Sequence, residues 1–329
     1  MARRALICGI SGQDGAYLTQ LLLGKGCEVT GTSRDAAASP FRGLARLGLR
    51  ERVSLCSMDL RDFRSVVQVL ERTEPDEIYN LAGQTSVGLS FEQPIEAFES
   101  IAVGTLNLLE AMRFRKKPAR LYSACSSECF GDTGETPASE ETPFRPESPY
   151  AMAKATAYWA VANYRAAYRL WACSGILFNH ESPLRPERFV TRKIVTAAHA
   201  IAGGSRERLR LGTLSIERDW GWAPEYVDAM WRMLQAKEPR DYVVATGKSC
   251  SLESFVSEVF AAYGLKWKEH VDIDPALARP RDPKVIRADP RKAERELGWR
   301  AQCAMPELAR RLVEAERAEN RGQSPISGK

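Results

Sequence analysis

The chain holds no apolar run approaching the roughly 18 residues that span a membrane, so no membrane partner is expected. Its three histidines, His180, His199 and His270, lack partners at metal-ligand spacing, and no metal site is expected. The eight cysteines (8, 27, 56, 125, 129, 173, 250 and 303) are scattered. Cys125 and Cys129 form CxxxC without zinc-spaced neighbours, which points to buried thiols in a reducing compartment. Charge of one sign is not concentrated: 47 Lys and Arg against 42 Asp and Glu leave +5, with no basic tail or stripe. Nucleic acid is therefore not an expected partner, and arginines that hold a small anion account for the excess. Repeats and low-complexity segments are missing. Met1-Ala-Arg-Arg4 leads straight into a strand-like run without a secretory pattern, and a cytoplasmic location is expected. What remains is an ordinary globular composition, 44% hydrophobic and 27% charged over 329 residues, long enough for about two domains.

Arg4-Ala-Leu-Ile-Cys8 reads as a short buried strand, and Gly9-Ile-Ser-Gly-Gln-Asp-Gly15 follows at once, before a helical period from Ala16 to Leu23. Glycines 9, 12 and 15 fit a variant of the dinucleotide fingerprint: a tight turn, close approach of a pyrophosphate, and close helix–strand packing. Further strands are expected at Glu28–Ser33, Val53–Ser57, Ile78–Gly83, Arg120–Ala124 and Cys173–Phe178, with helices between them. Strands and helices that alternate in this way predict an α/β fold: a Rossmann-type doubly wound parallel sheet with a smaller, mostly C-terminal α/β substrate-binding domain. The first domain is expected over 1–178 with a returning segment at about 222–246. The second takes 179–221 and 247–318, and residues 319–329 are expected to form a flexible tail.

Ligands bind at the carboxyl ends of such strands. The cofactor candidates there are Gly9, Ser11, Gly12, Gln13, Asp14 and Gly15, then Asp59 and Leu60, and Leu81 and Ala82. Arg34 ends the second strand, where an arginine favours NADP over NAD, although Asp35 beside it would repel a 2′-phosphate, so NAD is not excluded. His180 is either a further cofactor contact or a buried, hydrogen-bonded histidine. Asn179-His-Glu-Ser-Pro-Leu-Arg-Pro-Glu-Arg188 reads as a polar loop.

The chemistry concentrates in Ala124-Cys-Ser-Ser-Glu-Cys-Phe-Gly131 and Ser148-Pro-Tyr-Ala-Met-Ala-Lys154. Ser148 and Pro149 suit an N-cap and first helical position, which places Tyr150 and Lys154 one turn apart on one face. An ammonium beside a phenol favours the phenolate, so Tyr150 is expected to act as a base below its ordinary pKa of about 10. Ser126 is placed to hydrogen-bond the same substrate oxygen. Glu128 adds a carboxylate that alcohol oxidation alone does not need. Removing water across C5–C6 of a 4-keto sugar needs such a group, as base at C5 and acid at C6. Lys193, Arg218 and Arg279 are candidates for holding a diphosphate, with solvated surface charge as the plain alternative.

With these residues laid out, the chain resembles the extended short-chain dehydrogenase/reductases, and within them the bacterial GDP-mannose 4,6-dehydratases. The matching segments are GISGQDG at 9–15, YNLAGQTS at 79–86, SPYAMAK at 148–154, GILFNHESP at 175–183, FVTRK at 189–193 and RDWG at 218–221. The resemblance implies tightly held NADP and Tyr150 as the base for the sugar 4-hydroxyl. It implies that Lys154 lowers the Tyr150 pKa and holds the nicotinamide ribose, that Ser126 replaces a threonine, and that Glu128 is the C5 base and C6 acid. It further implies a GDP-sugar site that includes Thr85, Asn179, Val190, Lys193, Arg218, Arg279 and Asp282. A homo-oligomer, dimer or tetramer, is also implied, with the loop after the second strand reaching a neighbour. Two stretches depart from the family. Arg34-Asp-Ala-Ala stands where paired arginines and serines occur, which bears on cofactor choice and tetramer contact. Arg279-Pro-Arg-Asp282 stands where a glutamate ends the motif, which bears on the choice of GDP-sugar. The alternatives on this scaffold are a GDP-4-keto-6-deoxyhexose 4-reductase, which consumes NADPH, an epimerase, which lacks a carboxylate at 128, or a non-catalytic nucleotide-sugar binder.

Overall fold

The computed structural model describes residues 2–320. Its strands are β1 Arg4–Cys8, β2 Glu28–Ser33, β3 Ser54–Ser57, β4 Glu77–Asn80, β5 Arg120–Ser126, β6 Ala172–Leu177, β7 Asn179–Glu181, β8 Leu209–Leu211, β9 Glu217–Trp222, β10 Tyr242–Val244, β11 Ser249–Ser251 and β12 Val271–Ile273. Seven of them form one all-parallel sheet in the order β10-β6-β5-β4-β1-β2-β3. The side chains of β1 alternate between its two faces, as strand geometry requires. Ala5 and Ile7 join Tyr79 and Tyr122 in one core, while Leu6 and Cys8 join Ile78 and Leu121 in the other. Helices Gln13–Gly24 and Ala223–Gln235 supply residues to the first core; helices Phe63–Thr73, Gly104–Arg113 and Pro149–Tyr168 supply the second. Burial on both faces fits the mostly apolar make-up of β1 and β6.

The order of strands reverses between β1 and β4, and the loops leaving both meet there. Gly9 takes φ +84°, and a Cβ on it would lie 2.9 Å from the Ala82 backbone. A Cβ on Gly15 would lie 2.5 Å from Ile10 Cα, so the first helix packs on the turn after β1 too closely for any side chain. Gly12 differs: a Cβ there would meet only the Gly9 carbonyl oxygen, at 3.5 Å. Internal packing thus accounts for two of the three glycines and leaves the third unexplained by the chain itself.

A third core gathers Ile194, Leu209, Trp220, Phe255, Phe260, Leu308 and Leu312. It underlies a three-stranded sheet, β11-β9-β7, and a β8–β12 parallel pair. Three expectations need correction. The stretch expected as a loop after Phe178 begins with β7, paired to β9 from Asn179↔Trp220 to Glu181↔Trp222. The expected division puts 247–318 wholly in the second unit, yet Ala293 and Trp299 pack in the first unit's core. The expected tail start is also displaced: Glu319 and Asn320 close the helix Glu307–Asn320, where Glu319 pairs with Arg46 and Arg192. The rest of that tail, 321–329, lies outside the described residues. No described helix is long and apolar enough to cross a membrane.

Candidate active site

β5 ends at Ser126 and passes into a 3-10 turn, Ser127–Phe130, which the Ser126 hydroxyl caps by accepting from the Glu128 N–H at 3.3 Å. The helix Pro149–Tyr168 starts beside it. The Ser148 hydroxyl accepts from the Ala151 N–H at 3.1 Å and Pro149 occupies the first turn, a cap of the kind that contributes about 1 kcal/mol. Tyr150 and Lys154, one turn apart, are both buried against β5, as are Ser126 and Glu128. These four groups are brought together.

Their electrostatics differ from the sequence expectation in one respect. Burial pushes the Tyr150 phenol well up, and a hydrogen bond with the Ser126 hydroxyl works the other way without cancelling it. Lys154 does not hold it down. Its ammonium donates to the Ala124 carbonyl at 2.6 Å and stands 5.9 Å from the Tyr150 ring centre, while burial lowers its own pKa. The tether to Ala124 is the physical reason: it fixes the charge at the strand end, on one side of the ring.

Glu128 is buried, and burial raises its pKa, with Arg218 and then Arg279 opposing. The nearest cation is Arg218, its Nε 3.8 Å from Glu128 Oε1, too long for a hydrogen bond. Arg218 itself is only 3% exposed. Its guanidinium donates to the Glu217 and Pro283 carbonyls, each at 2.9 Å, and to Asp282 Oδ1 at 2.6 Å. Arg279 reaches the same carboxylate oxygen at 3.2 Å. Both arginines thus meet at Asp282. Lys193 lies apart from them, exposed on the helix Val190–Ala202, and donates to the Arg210 carbonyl at 2.8 Å. Asn179 opens β7, Val190 opens the helix that carries Lys193, and Thr85 is exposed in the loop after β4.

In the glycine loop, Gln13, Asp14 and His180 are committed to one another's segments. The Gln13 amide donates to the His180 carbonyl at 3.0 Å and accepts from the Ser182 hydroxyl at 2.7 Å. His180 spans Phe178 O at 2.7 Å and Asp14 Oδ2 at 2.9 Å, and stacks on Tyr226. Burial opposes the imidazolium, but the Asp14 carboxylate raises the His180 pKa overall. Of the two readings of His180, the buried, hydrogen-bonded one describes its ring. No side chain caps the helix that begins at Gln13. Ser11 is exposed at the turn, Leu81 and Ala82 are half-buried at the end of β4, and Leu60 is buried after β3.

At the end of β2, Arg34 pairs with Glu96 at 2.9 Å, and Asp59 is held by Arg61, which also reaches Glu96. Sequence reasoning missed Glu96 and Arg61. An Asp59-x-Arg61 pair is visible locally, but nothing in the sequence brings Glu96 to Arg34. The Asp35 carboxylate turns back to accept from the Ala37 and Ala38 N–H groups, at 2.9 and 3.0 Å. Cys125 and Cys129 bring their sulfurs to 3.7 Å as free thiols. Among the described residues no group of three or more His, Cys, Asp or Glu is placed to hold a metal.

A parallel sheet with its glycine loop after β1, and a buried Tyr–Lys pair on the helix that flanks β5, define an extended short-chain dehydrogenase/reductase. The family profile for GDP-mannose 4,6 dehydratase matches residues 6–312. The chain belongs to that family. It is 44% identical to GDP-mannose 4,6 dehydratase 2 of Arabidopsis thaliana, over 94% of this chain and 86% of that protein. It is 42% identical to GDP-mannose 4,6-dehydratase of Sinorhizobium fredii, over 97% of each. Among solved structures it superimposes on the Thermus thermophilus UDP-glucose 4-epimerase complex with NAD with a TM-score of 0.84 at 26% identity, over 95% of this chain and 99% of that one. The fold is also that of a dTDP-glucose 4,6-dehydratase from Streptomyces venezuelae, TM-score 0.85 at 22% identity, over 97% of this chain and 98% of that one.

Proposed function

We propose that the protein converts GDP-mannose to GDP-4-keto-6-deoxymannose and water, with a nicotinamide dinucleotide that is regenerated in each turnover. Family membership supports the reaction class. One observation carries the chemistry: the buried Glu128 carboxyl lies close to Tyr150, which bonds to Ser126, and Arg218 Nε stands 3.8 Å from it, beyond hydrogen-bond distance. A bound nicotinamide would supply the hydride acceptor for C4 and, once reduced, the hydride donor for C6. Tyr150 removes the proton of the 4-hydroxyl while Ser126 holds that oxygen. The C4 ketone acidifies the C5 hydrogen, which Glu128 removes; the same proton then goes to the departing C6 oxygen, which leaves as water, and C5 takes up a proton when hydride reaches C6, which balances the one that Tyr150 removed from the 4-hydroxyl. Burial keeps the proton affinity of Glu128 above that of an ordinary carboxyl, which suits a group that must take a proton and return it.

The cofactor fits the cradle at the switch between β1 and β4. Gly12 leaves room beside an uncapped helix N-terminus, where backbone N–H groups and the helix dipole favour a pyrophosphate. We assign NADP, because the Arg34 guanidinium is 67% exposed and the Asp35 carboxylate is taken up by its own turn. Gly12→Ala is expected to leave the melting temperature within about 1 °C while weakening NADP binding at least tenfold. Gly15→Ala is expected to lower the melting temperature by roughly 5 °C, because its Cβ must displace backbone. Thermal melts and calorimetric titration with NADP separate the two effects. Equal loss of stability in both variants contradicts the assignment of Gly12.

The GDP-sugar side is proposed to use Asn179, Lys193 and Arg279, with Thr85 and Val190 at its walls. Copies of the chain are proposed to associate through the exposed Val103, Leu106, Met152 and Trp159 on the helices flanking β5. The test of the reaction is mass spectrometry of purified protein given GDP-mannose and catalytic NADP. A product lighter by one water supports the reading. Unchanged GDP-mannose, with reduction of an offered 4-keto sugar, supports a reductase in its place.

A further inference from the structure

Where β2 and β3 end, four charged side chains form one run of ion pairs. Glu96, on the helix Pro94–Phe98, accepts from Arg34 Nη1 on Oε1 at 2.9 Å and from Arg61 Nη1 on Oε2 at 2.8 Å. Arg61 turns its other edge to Asp59, with Nη2 donating to Oδ2 at 2.7 Å and Nε to Oδ1 at 3.0 Å. That bidentate grip holds the Asp59 carboxyl below its ordinary pKa and fixes the guanidinium, with Nη1 aimed away from Asp59. One carboxylate therefore bridges two guanidinium groups, an oxygen to each. Among the described residues, the Glu96 carboxylate has no other hydrogen-bond partner, and its side chain is 27% exposed. Ion pairs this open to solvent are weak, so an incoming anion can displace the carboxylate.

The place matters because the ribose of a bound adenosine lies at these strand ends, its 2′ position toward the residue that ends β2. A phosphate offers guanidinium donors the same kind of acceptor as a carboxylate, with more charge. The loop after β2 supplies one arginine, and the second guanidinium comes from β3. We infer that Arg34 and Arg61 together hold the 2′-phosphate of NADP and that Glu96 competes with it for both, so that Arg61 and Glu96 set the discrimination between NADP and NAD. This rests on the assignment of NADP above and names the residues that decide it. Asp59 balances Arg61, Glu96 balances Arg34, and Glu99 also faces Arg61, so the seat carries no surplus positive charge while Glu96 occupies it. A 2′-phosphate gains its two partners only by displacing Glu96. A 2′-hydroxyl, by contrast, has a proton to donate to it.

Calorimetric titration of the full chain with NADP and with NAD reads this without turnover. Glu96→Gln keeps the shape and removes the competing charge. NADP is expected to bind it roughly fivefold more tightly than the wild type, and NAD no more tightly. Arg61→Gln is expected to weaken NADP roughly tenfold more than it weakens NAD. An effect that runs through the release of Asp59 falls on both cofactors alike, so the readout is the ratio of the two dissociation constants. Arg61→Lys keeps the charge without the fork and is expected to move the ratio the same way by a smaller factor, should Arg61→Gln fold poorly. Adenosine 2′,5′-bisphosphate against adenosine 5′-monophosphate repeats the comparison without the nicotinamide half, and the same shifts are expected. An unchanged ratio in Glu96→Gln, or in the Arg61 variant, overturns the inference. A wild-type protein that binds NAD more tightly than NADP contradicts the assignment of NADP. A ratio that still moves toward NADP in Glu96→Gln and toward NAD in Arg61→Gln keeps the roles of both residues.

Discussion

Glu128→Gln is expected to reduce dehydration by roughly 10³–10⁴-fold, because one group serves as base and then as acid and glutamine can be neither. The protein is expected to stay folded. Glu128 is a carboxyl whose folded pKa is raised by burial, so its ionised form takes stability away as pH climbs past the ordinary carboxyl range. A neutral isostere removes that cost, and Arg218 keeps Asp282 as a partner. The melting temperature at neutral pH is therefore expected to hold or rise. C4 oxidation does not involve Glu128. Rapid quenching into borodeuteride is expected to trap a 4-keto hexose that still carries its C6 hydroxyl, and exchange of the C5 hydrogen with deuterated solvent is expected to stop. Survival of both exchange and turnover removes Glu128 from the chemistry.

Tyr150→Phe is expected to block the step before it. Loss of the phenol oxygen removes the acceptor for the 4-hydroxyl proton and should reduce turnover by roughly 10²–10⁴-fold. Borodeuteride quenching should then find no 4-keto sugar. The two variants thus fail at different points, which a general loss of structure does not do. In the protein alone, burial keeps Tyr150 protonated, and Lys154 is tied to Ala124. Wild-type kcat is therefore expected to increase toward alkaline pH on the side governed by the phenol. A 4-keto sugar formed at wild-type rate by Tyr150→Phe contradicts the assignment.

The parts of the site that were legible in sequence are those built from neighbours in the chain. The Tyr150–Lys154 spacing, the Ser148-Pro149 helix start and the strand–glycine loop–helix at Cys8 to Leu23 each encode their geometry within one or two turns. Ser126 and Glu128 were legible for the same reason, as the end of a strand and the turn it enters. Contacts across long separations were not. Arg218 meets Asp282 across 64 positions, Arg34 meets Glu96 across 62, and His180 meets Asp14 across 166. Polar segments that are buried also misled. Asn179-His-Glu181 has the composition of a loop, yet it forms a strand because Asp14 takes the His180 ring and Thr191 donates to Glu181. The helix Glu307–Asn320 was hidden by its charge: Leu308, Leu312 and Val313 make a narrow buried stripe among arginines and glutamates. The direction of the Tyr150 shift was missed for a related reason. Sequence spacing sets Lys154 on the same face, but it does not show that a backbone carbonyl claims the ammonium first.

The central claim is that hydride leaves C4 and returns to C6 of the same sugar while one water is lost. GDP-mannose deuterated at C4, turned over by the wild-type protein without added reduced cofactor, tests it directly. The account predicts a product lighter by one water whose C6 methyl group carries the deuterium. A product without the label at C6, or label accumulating in free NADPH, contradicts it.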